Sequence, residues 1–327
     1  MEIITLSEVC NLNMGQSPPS NAYNADARGL PFYQGNADFG TRHPKTRIWC
    51  DAPTKIAHAG DILLSVRAPI GALNIATETC CIGRGLAGLT ANPEKIDTLY
   101  LYYVLQSKTH ILSALGTGST FKAVSKAIVS EFPIPIYPLE TQKLIASVLD
   151  TIERAIDNIH QQLNHLDELV KSQFVEMFGD LENNPKNWKK ATFDDVSVKI
   201  TDGEHATVPR VTEGYVFLNA RNVLKNGKID LTGVTYISED NHNRIYKRCN
   251  PEPEDILLTT TGTIGNVAIV PDMDAFSMDR GITLIKQDRS IINGTFFSVA
   301  MQMDSLQMRM KKGIHASGQH PEEWTRK

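Results

Sequence analysis

The side chains able to do chemistry are scattered along the chain, and their spacing argues against catalysis. No Gly-rich loop followed by Lys-Ser or Lys-Thr is present, so a nucleotide P-loop is excluded. Gly116-Thr117-Gly118 is a lone glycine pair after an apolar helical stretch, which suits a flexible loop better than a phosphate cradle. Pro18-Pro19 lacks the preceding acidic or amide residue and the following aromatic that adenine methyltransferases use to grip a flipped base. Of the nine histidines, His160 and His165 fall on one predicted helix, but five apart and not at the i, i+4 spacing of a zinc pair. Both are expected in solvent. Glu252, Glu254 and Asp255 form an acidic knot with no lysine following at nuclease spacing. Asp255 and Asp61 hold matching places in a repeated segment, so a turn or capping role is expected of both.

The polar residues in turn-rich segments are more telling. The first half of the chain offers Gln16, Ser17, Ser20, Tyr23, Gln34, Arg67, Arg84, Ser119 and Lys122. The second offers Thr201, His205, Asn219, Arg221, Thr260, Arg280 and Lys312. Arg, Asn and Gln make bidentate contacts to guanine and adenine edges, while Ser, Thr and Lys suit phosphates. These residues are the candidate DNA contacts; ordinary surface is the plainer alternative for any one of them. Arg84 and Arg280 recur beside a glycine in both halves, which fits a shared base contact or a shared structural salt bridge.

What positions them is a unit written twice. The segment Gly60-Asp61-Ile62-Leu63-Leu64-Ser65 through Ile70-Gly71 returns as Glu254-Asp255-Ile256-Leu257-Leu258-Thr259 through Ile264-Gly265. Such repeats set the architecture. In the first copy, extended patches are expected at 30–34, 61–66, 72–76 and 86–90, and the Cys80-Cys81 pair is expected in a strand. A helix is expected over 97–115, then a loop at 116–120 and a short amphipathic piece at 122–129. The alternating prolines of Phe132-Pro133-Ile134-Pro135-Ile136-Tyr137-Pro138 predict an extended edge segment. In the second copy a helix is expected over 296–310, and Ala316-Ser317-Gly318-Gln319 matches the loop at Gly118.

Between the copies the apolar positions step by four and three: Ile145, Leu149, Ile152, Ile156, Ile159, Leu163, Leu166, Val170. That is a heptad seam, the signature of a coiled coil. The helix is expected to run from Pro138 to Gly179, about 60 Å of rod. These eight positions form the expected helix-pairing interface. The acidic excess of the same helix, including Asp150 and Glu153, predicts a solvated face that keeps it off DNA.

Bulk properties agree. The 327 residues suit two domains, and 41% apolar with 21% charged residues is ordinary for a globular chain. A net charge of −4 argues against a stand-alone DNA binder but not against a reader whose phosphate affinity comes from a partner. Five irregularly spaced cysteines read as reduced cytosolic thiols. No signal peptide or membrane span is expected.

The whole pattern resembles the specificity subunit of type I restriction-modification systems. The residues that carry the resemblance are Gly15-Gln16-Ser17-Pro18-Pro19, Gly60-Asp61-Ile62-Leu63-Leu64, Pro133-Ile134-Pro135 and Pro138-Leu139-Glu140-Thr141-Gln142. The heptad helix and the repeated unit complete it, over nearly all of residues 1–319. The resemblance implies an α+β chain of two similar mixed α/β target recognition domains, 1–138 and 180–319, joined by a coiled-coil helix at 139–179. It implies a non-catalytic, cytoplasmic subunit that reads a two-part DNA target and recruits methyltransferase and restriction subunits. S-adenosylmethionine, ATP and Mg2+ would be used by those partners, with no cofactor and no metal on this chain. The family's second conserved helix is not found, domain two lacks a closing segment, and 320–327 reads as an unrelated tail. The seam is therefore expected to pair with a second copy, giving a homodimer. The alternatives are an inactive truncated remnant or recombination cassette, or a coiled-coil protein-binding adaptor.

Overall fold

The computed structural model describes residues 2–118 and 122–317, with backbone alone for 312–317. The chain forms two compact units, Met1–His160 and Gln161–Lys327. The helix Leu139–Phe178, 40 residues without a break, gives its first part to one and its last part to the other. Sheets and helices segregate as in an α+β fold.

In the first unit an antiparallel four-stranded sheet runs in the order Cys10–Met14, Leu86–Ala91, Ile62–Ser65, Leu73–Ile75. Every residue of Ile62–Ser65 is buried, as a short apolar run in a sheet centre requires. A five-stranded sheet holds the short strands Tyr23–Asn24, Trp49–Cys50, Leu30–Tyr33, Cys80–Ile82 and Ile56–Ala57, with Leu30–Tyr33 parallel to Cys80–Ile82. The proline-alternating segment is the strand Pro133–Ile136, paired with Glu2–Thr5 in a two-stranded ribbon. Phe132 and Ile134 point into the core while the prolines face outward or sit half-buried.

The second unit repeats this order: Ser197–Asp202, Ile282–Gln287, Ile256–Thr259, Val267–Ile269. Its smaller sheet again contains one parallel pair, Tyr215–Leu218 with Ser277–Met278. The two aspartates of the repeat close identical turns before their strands. Asp61 Oδ2 accepts from the His58 N–H and Asp255 Oδ2 from the Glu252 N–H, each at 2.8 Å. The residue before each aspartate has positive φ, Gly60 at 89° and Glu254 at 74°.

Three expectations are corrected. The helix expected over 97–115 is two, Thr98–Ser107 and Thr109–Ala114, because Lys108 leaves helical geometry and the Thr109 hydroxyl bonds to Leu105 O and Gly71 O. The helix expected over 296–310 is also two, Gly294–Gln302 and Asp304–Ser317, broken by the extended Met303, whose side chain is buried. Most of the acidic face of the long helix is solvated, but Asp150 and Glu153 are not: Arg42 and Tyr103 bind them against the first unit. Gly318, Gln319 and the tail 320–327 lie outside the described residues.

Ile145 packs against the first unit's core, whereas the other seam residues stay open. From Leu149 to Val170 their exposure runs from 38% to 56%. At its end the long helix docks on the second unit through Phe174 and Phe178, whose rings lie 5.4 and 4.8 Å from Phe296. Gly179, at φ 83°, stops it, and its N–H bonds to Val175 O. All five cysteines are buried free thiols; burial pushes Cys10 and Cys80 up to about 12.

Candidate nucleic-acid interface

In each unit the loops at one end of the four-stranded sheet are tied into a rim by the same backbone hydrogen bonds. In the first unit the Gly15 N–H donates to Leu86 O and Gln16 to Ile82 O, at 2.9 and 3.0 Å. Gly83 donates to Tyr33 O, Gly85 to Gln34 O, and Val66 to Gly85 O. The second unit matches these bond for bond where it has them: Gly203 to Ile282 O, Glu204 to Met278 O, Asp279 to Leu218 O, and Thr260 to Gly281 O. The strands pass so close that side chains are excluded at the crossing. A Cβ on Gly15 would lie 2.2 Å from Gly83 O, and one on Gly203 2.1 Å from Asp279 O. The glycines are thus what lets three loops meet at one place.

This crossing brings together Gln16, Ser17, Gln34 and Arg84. Gln16, Gln34 and Arg84 are exposed, and the Arg84 N–H reaches Ser17 Oγ at 3.4 Å. Arg67 and Lys122 join the rim from the next loop, where Ala68 N–H donates to Lys122 O and Val124 N–H to Val66 O. Both side chains are exposed. In the second unit His205, Asn219, Arg221, Thr260 and Arg280 sit on the corresponding loops. Among the described residues neither Arg84 nor Arg280 has an ion-pair partner within 4 Å, although Arg280 lies near enough to Asp279 to favour its charged form.

Several candidates are held by the fold instead. The Tyr23 ring stacks on Phe32 at 4.7 Å and its hydroxyl donates to Pro18 O, so it is a packing residue. Thr201 Oγ1 accepts from Arg248 Nη1 at 3.0 Å. The Asn219 carbonyl oxygen caps the turn at the Arg221 N–H. Thr260 is half-buried over Gly281 O. His205 is exposed 3.8 Å from the buried Asp202 carboxylate. Ser20 is exposed at the start of the short 3-10 turn Ser20–Ala22, away from the crossing bonds. Ser119 and the side chain of Lys312 lie outside the described residues.

The structure also shows rim residues that spacing did not single out. Asp279 occupies the place of Gly83; burial pushes its carboxyl above the ordinary range, against the Gly281 N–H and nearby Arg210, Arg280 and Arg221. Glu204 occupies the place of Gln16. Burial opposes its charge, but the Ala206 N–H and Arg244 outweigh that and hold its carboxyl below the ordinary range. The signal for both was available, since each stands beside a repeated residue, but only an alignment of the two copies at the rim brings it out. No group of three metal-ligating side chains converges among the described residues, and no helix there is long and apolar enough to cross a membrane.

Comparison with known proteins gives the following. Residues 1–168 match the family model described as the type I restriction modification DNA specificity domain. The chain is 42% identical over 158 residues to a Methanocaldococcus jannaschii protein described as the specificity subunit of type I restriction enzyme MjaX; the match covers 48% of this chain and 37% of the relative. It is 20% identical to the EcoBI type I restriction enzyme specificity subunit of Escherichia coli, over 93% of this chain and 69% of that one. The fold is similar to a crystal structure of the type I restriction-modification system S subunit from M. genitalium, with TM-score 0.61 at 17% identity, over 97% of this chain and 79% of that chain. The first of these matches therefore spans little more than a third of the relative's own length.

Proposed function

The chain belongs to the type I restriction modification DNA specificity family, and from that premise we propose that it reads a two-part DNA target, one half with each loop rim. It is a specificity subunit and not a catalytic one. The observation that carries the reading is the rim built twice on one set of backbone bonds, each time presenting an exposed arginine beside a glycine. An exposed guanidinium on a fixed backbone is suited to the bidentate contact with guanine O6 and N7. Gln16, Gln34 and Arg221 supply further base-edge donors, and Arg67 and Lys122 supply phosphate contacts.

The partners are methyltransferase subunits, which would modify adenine with S-adenosylmethionine, and restriction subunits, which would use ATP and Mg2+, all in the cytoplasm. With a net charge of −4 the chain needs such partners to clamp DNA. The open seam from Leu149 to Val170 supports pairing with a second heptad helix. Buried in full, each of its side chains would contribute about 1.5–3 kcal/mol. A second copy of this chain, antiparallel, is one such partner, and light scattering that finds only monomer at micromolar concentration would rule that copy out.

The test is a long-read adenine-methylation map of DNA from cells that hold this chain and a methyltransferase partner. A split methylated motif that disappears when this chain is deleted is the expected result. With both proteins present and soluble, the absence of any such motif would overturn the reading and favour an inactive remnant or a recombination cassette.

A further inference from the structure

The first rim is tied to the long helix by a built polar clamp. The segment 34–47 leaves the rim at Gln34. Its first turn is closed by the buried Asp38, which accepts from the Gln34 N–H at 2.7 Å and pairs with Arg47. The segment then crosses Leu73–Ile75, where Asn74, 1% exposed, bonds both the N–H and the carbonyl of Gly40, at 3.0 and 3.2 Å. Ile75 N–H donates to Arg42 O, and His43 Nδ1 donates to Ile75 O, both at 2.9 Å. Three bonds to its backbone and one from the His43 ring thus fix the segment from Gly40 to His43, and Arg42 projects from that fixed point onto the helix.

There the guanidinium contacts Asp150 directly and lies 3.7 Å from Glu153. Tyr103 donates its hydroxyl to Glu153 Oε2 at 2.8 Å. One and two turns earlier on the same helix face, Ala146 and Gln142 are buried. Gln142 accepts from the Asp97 N–H and donates to Lys95 O and Tyr137 O. Residues 142, 146, 150 and 153 form one stripe at i, i+4, i+8 and i+11, beside the heptad seam rather than on it.

A largely buried ion pair adds little net stability over apolar side chains of the same volume, and its best attested use is to select one register. We propose that Arg42 is a positioning residue: it holds segment 34–47, and with it the first rim, at one angle to the helix and so sets the gap between the two half-targets. This rests on the DNA-reading function proposed above.

The experiment is selection of a random-sequence duplex library on the full chain assembled with a methyltransferase partner, wild type against Arg42→Met, which keeps the volume and removes the charge. Wild type is expected to enrich two half-sites at one gap length. Arg42→Met is expected to enrich the same two half-sites spread over neighbouring gaps. Asp150→Asn with Glu153→Gln should give the same spread, with no further loss when combined with Arg42→Met. Should Arg42→Met fail to fold, Tyr103→Phe removes only one bond of the clamp and should broaden the gap to a smaller degree. A single unchanged gap in folded variants would overturn the proposal, as would loss of the first half-site alone, which marks a merely structural residue. Wild type that enriches no half-site would overturn the DNA reading itself and this inference with it.

Discussion

The two rims share a backbone and differ in side chains. Gln16, Ser17, Gln34 and Gly83 of the first correspond to Glu204, His205, Asn219 and Asp279 of the second, while Arg84 and Arg280 are the same residue in the same place. The first rim is therefore basic and amide-lined, whereas the second places the Asp279 carboxyl near Arg280 and the Glu204 carboxylate on Arg244. Backbone bonds that need only N–H, carbonyl and glycine can be repeated under changing side chains, so one scaffold can present two different reading surfaces. The same holds for the turn before the buried strand. Asp61 and Asp255 accept the same backbone bond, but Asp255 also holds Lys286 at 2.7 Å.

That last difference gives the largest expected effect. Asp255→Ala leaves Lys286, only 14% exposed at its side chain, with Glu252 alone, and should cost about 3–5 kcal/mol, as expected for a broken buried pair. Asp61→Ala removes one capped N–H and should cost about 1–3 kcal/mol. Urea unfolding of the full chain compares them, and equal losses would mean the lysine contributes nothing. Next come the arginines. Arg84→Ala and Arg280→Ala should each cost about 1–3 kcal/mol of DNA binding and relax one base position. Each should relax its own half-target; relaxation of the same half by both would break the assignment of one rim to one half. Smaller still is the positive-φ position. Glu254→Gly should stabilise the second unit by about 1 kcal/mol, and Gly60→Ala should destabilise the first by a similar amount. Nothing lies within 4 Å of a Cβ on Gly60, so that cost is conformational alone.

The smallest effects lie at opposite ends of the pH scale. Arg42 holds the Asp150 carboxyl below the ordinary range. A lowered folded value stabilises above the ordinary carboxylate pKa of about 3.9 and loses that contribution as pH falls through the folded value. Burial works against charge on Lys286, but its bonds to Asp255 and Glu252 outweigh it and raise its pKa. That contribution is complete below the ordinary lysine value, about 10.4, and is lost as pH rises through the raised one. Melting followed into acid should show Arg42→Met less pH-sensitive than wild type; melting followed into alkali should show the same of Lys286→Met. Unchanged pH profiles would separate the ion pairs from stability altogether.

Local signals are legible in this chain where a period or a repeat carries them. The run Ile62-Leu63-Leu64, its second copy, the proline-alternating edge strand and the limits of the long helix all follow from neighbours a few residues apart. The strands Tyr23–Asn24, Trp49–Cys50 and Ile56–Ala57 are two residues each, too short to show a period. The breaks at Lys108 and Met303 were hidden because the apolar pattern continues through them. Tyr23 stands among the polar residues of a turn-rich segment, but such a segment can also fold over a core, as it does onto Phe32.

The amino-acid sequence alone determined the repeat, the α+β class, the heptad seam and the family resemblance, because these depend on residue types at fixed short spacings. Only the tertiary structure decided which polar loops meet, and that Arg42 meets Asp150, 108 residues away. It also decided that Asp150 and Glu153 are anchors rather than solvated charges. Side-chain pairing across such distances is set by how strands and loops close in space, and nothing in the local pattern of a chain records it.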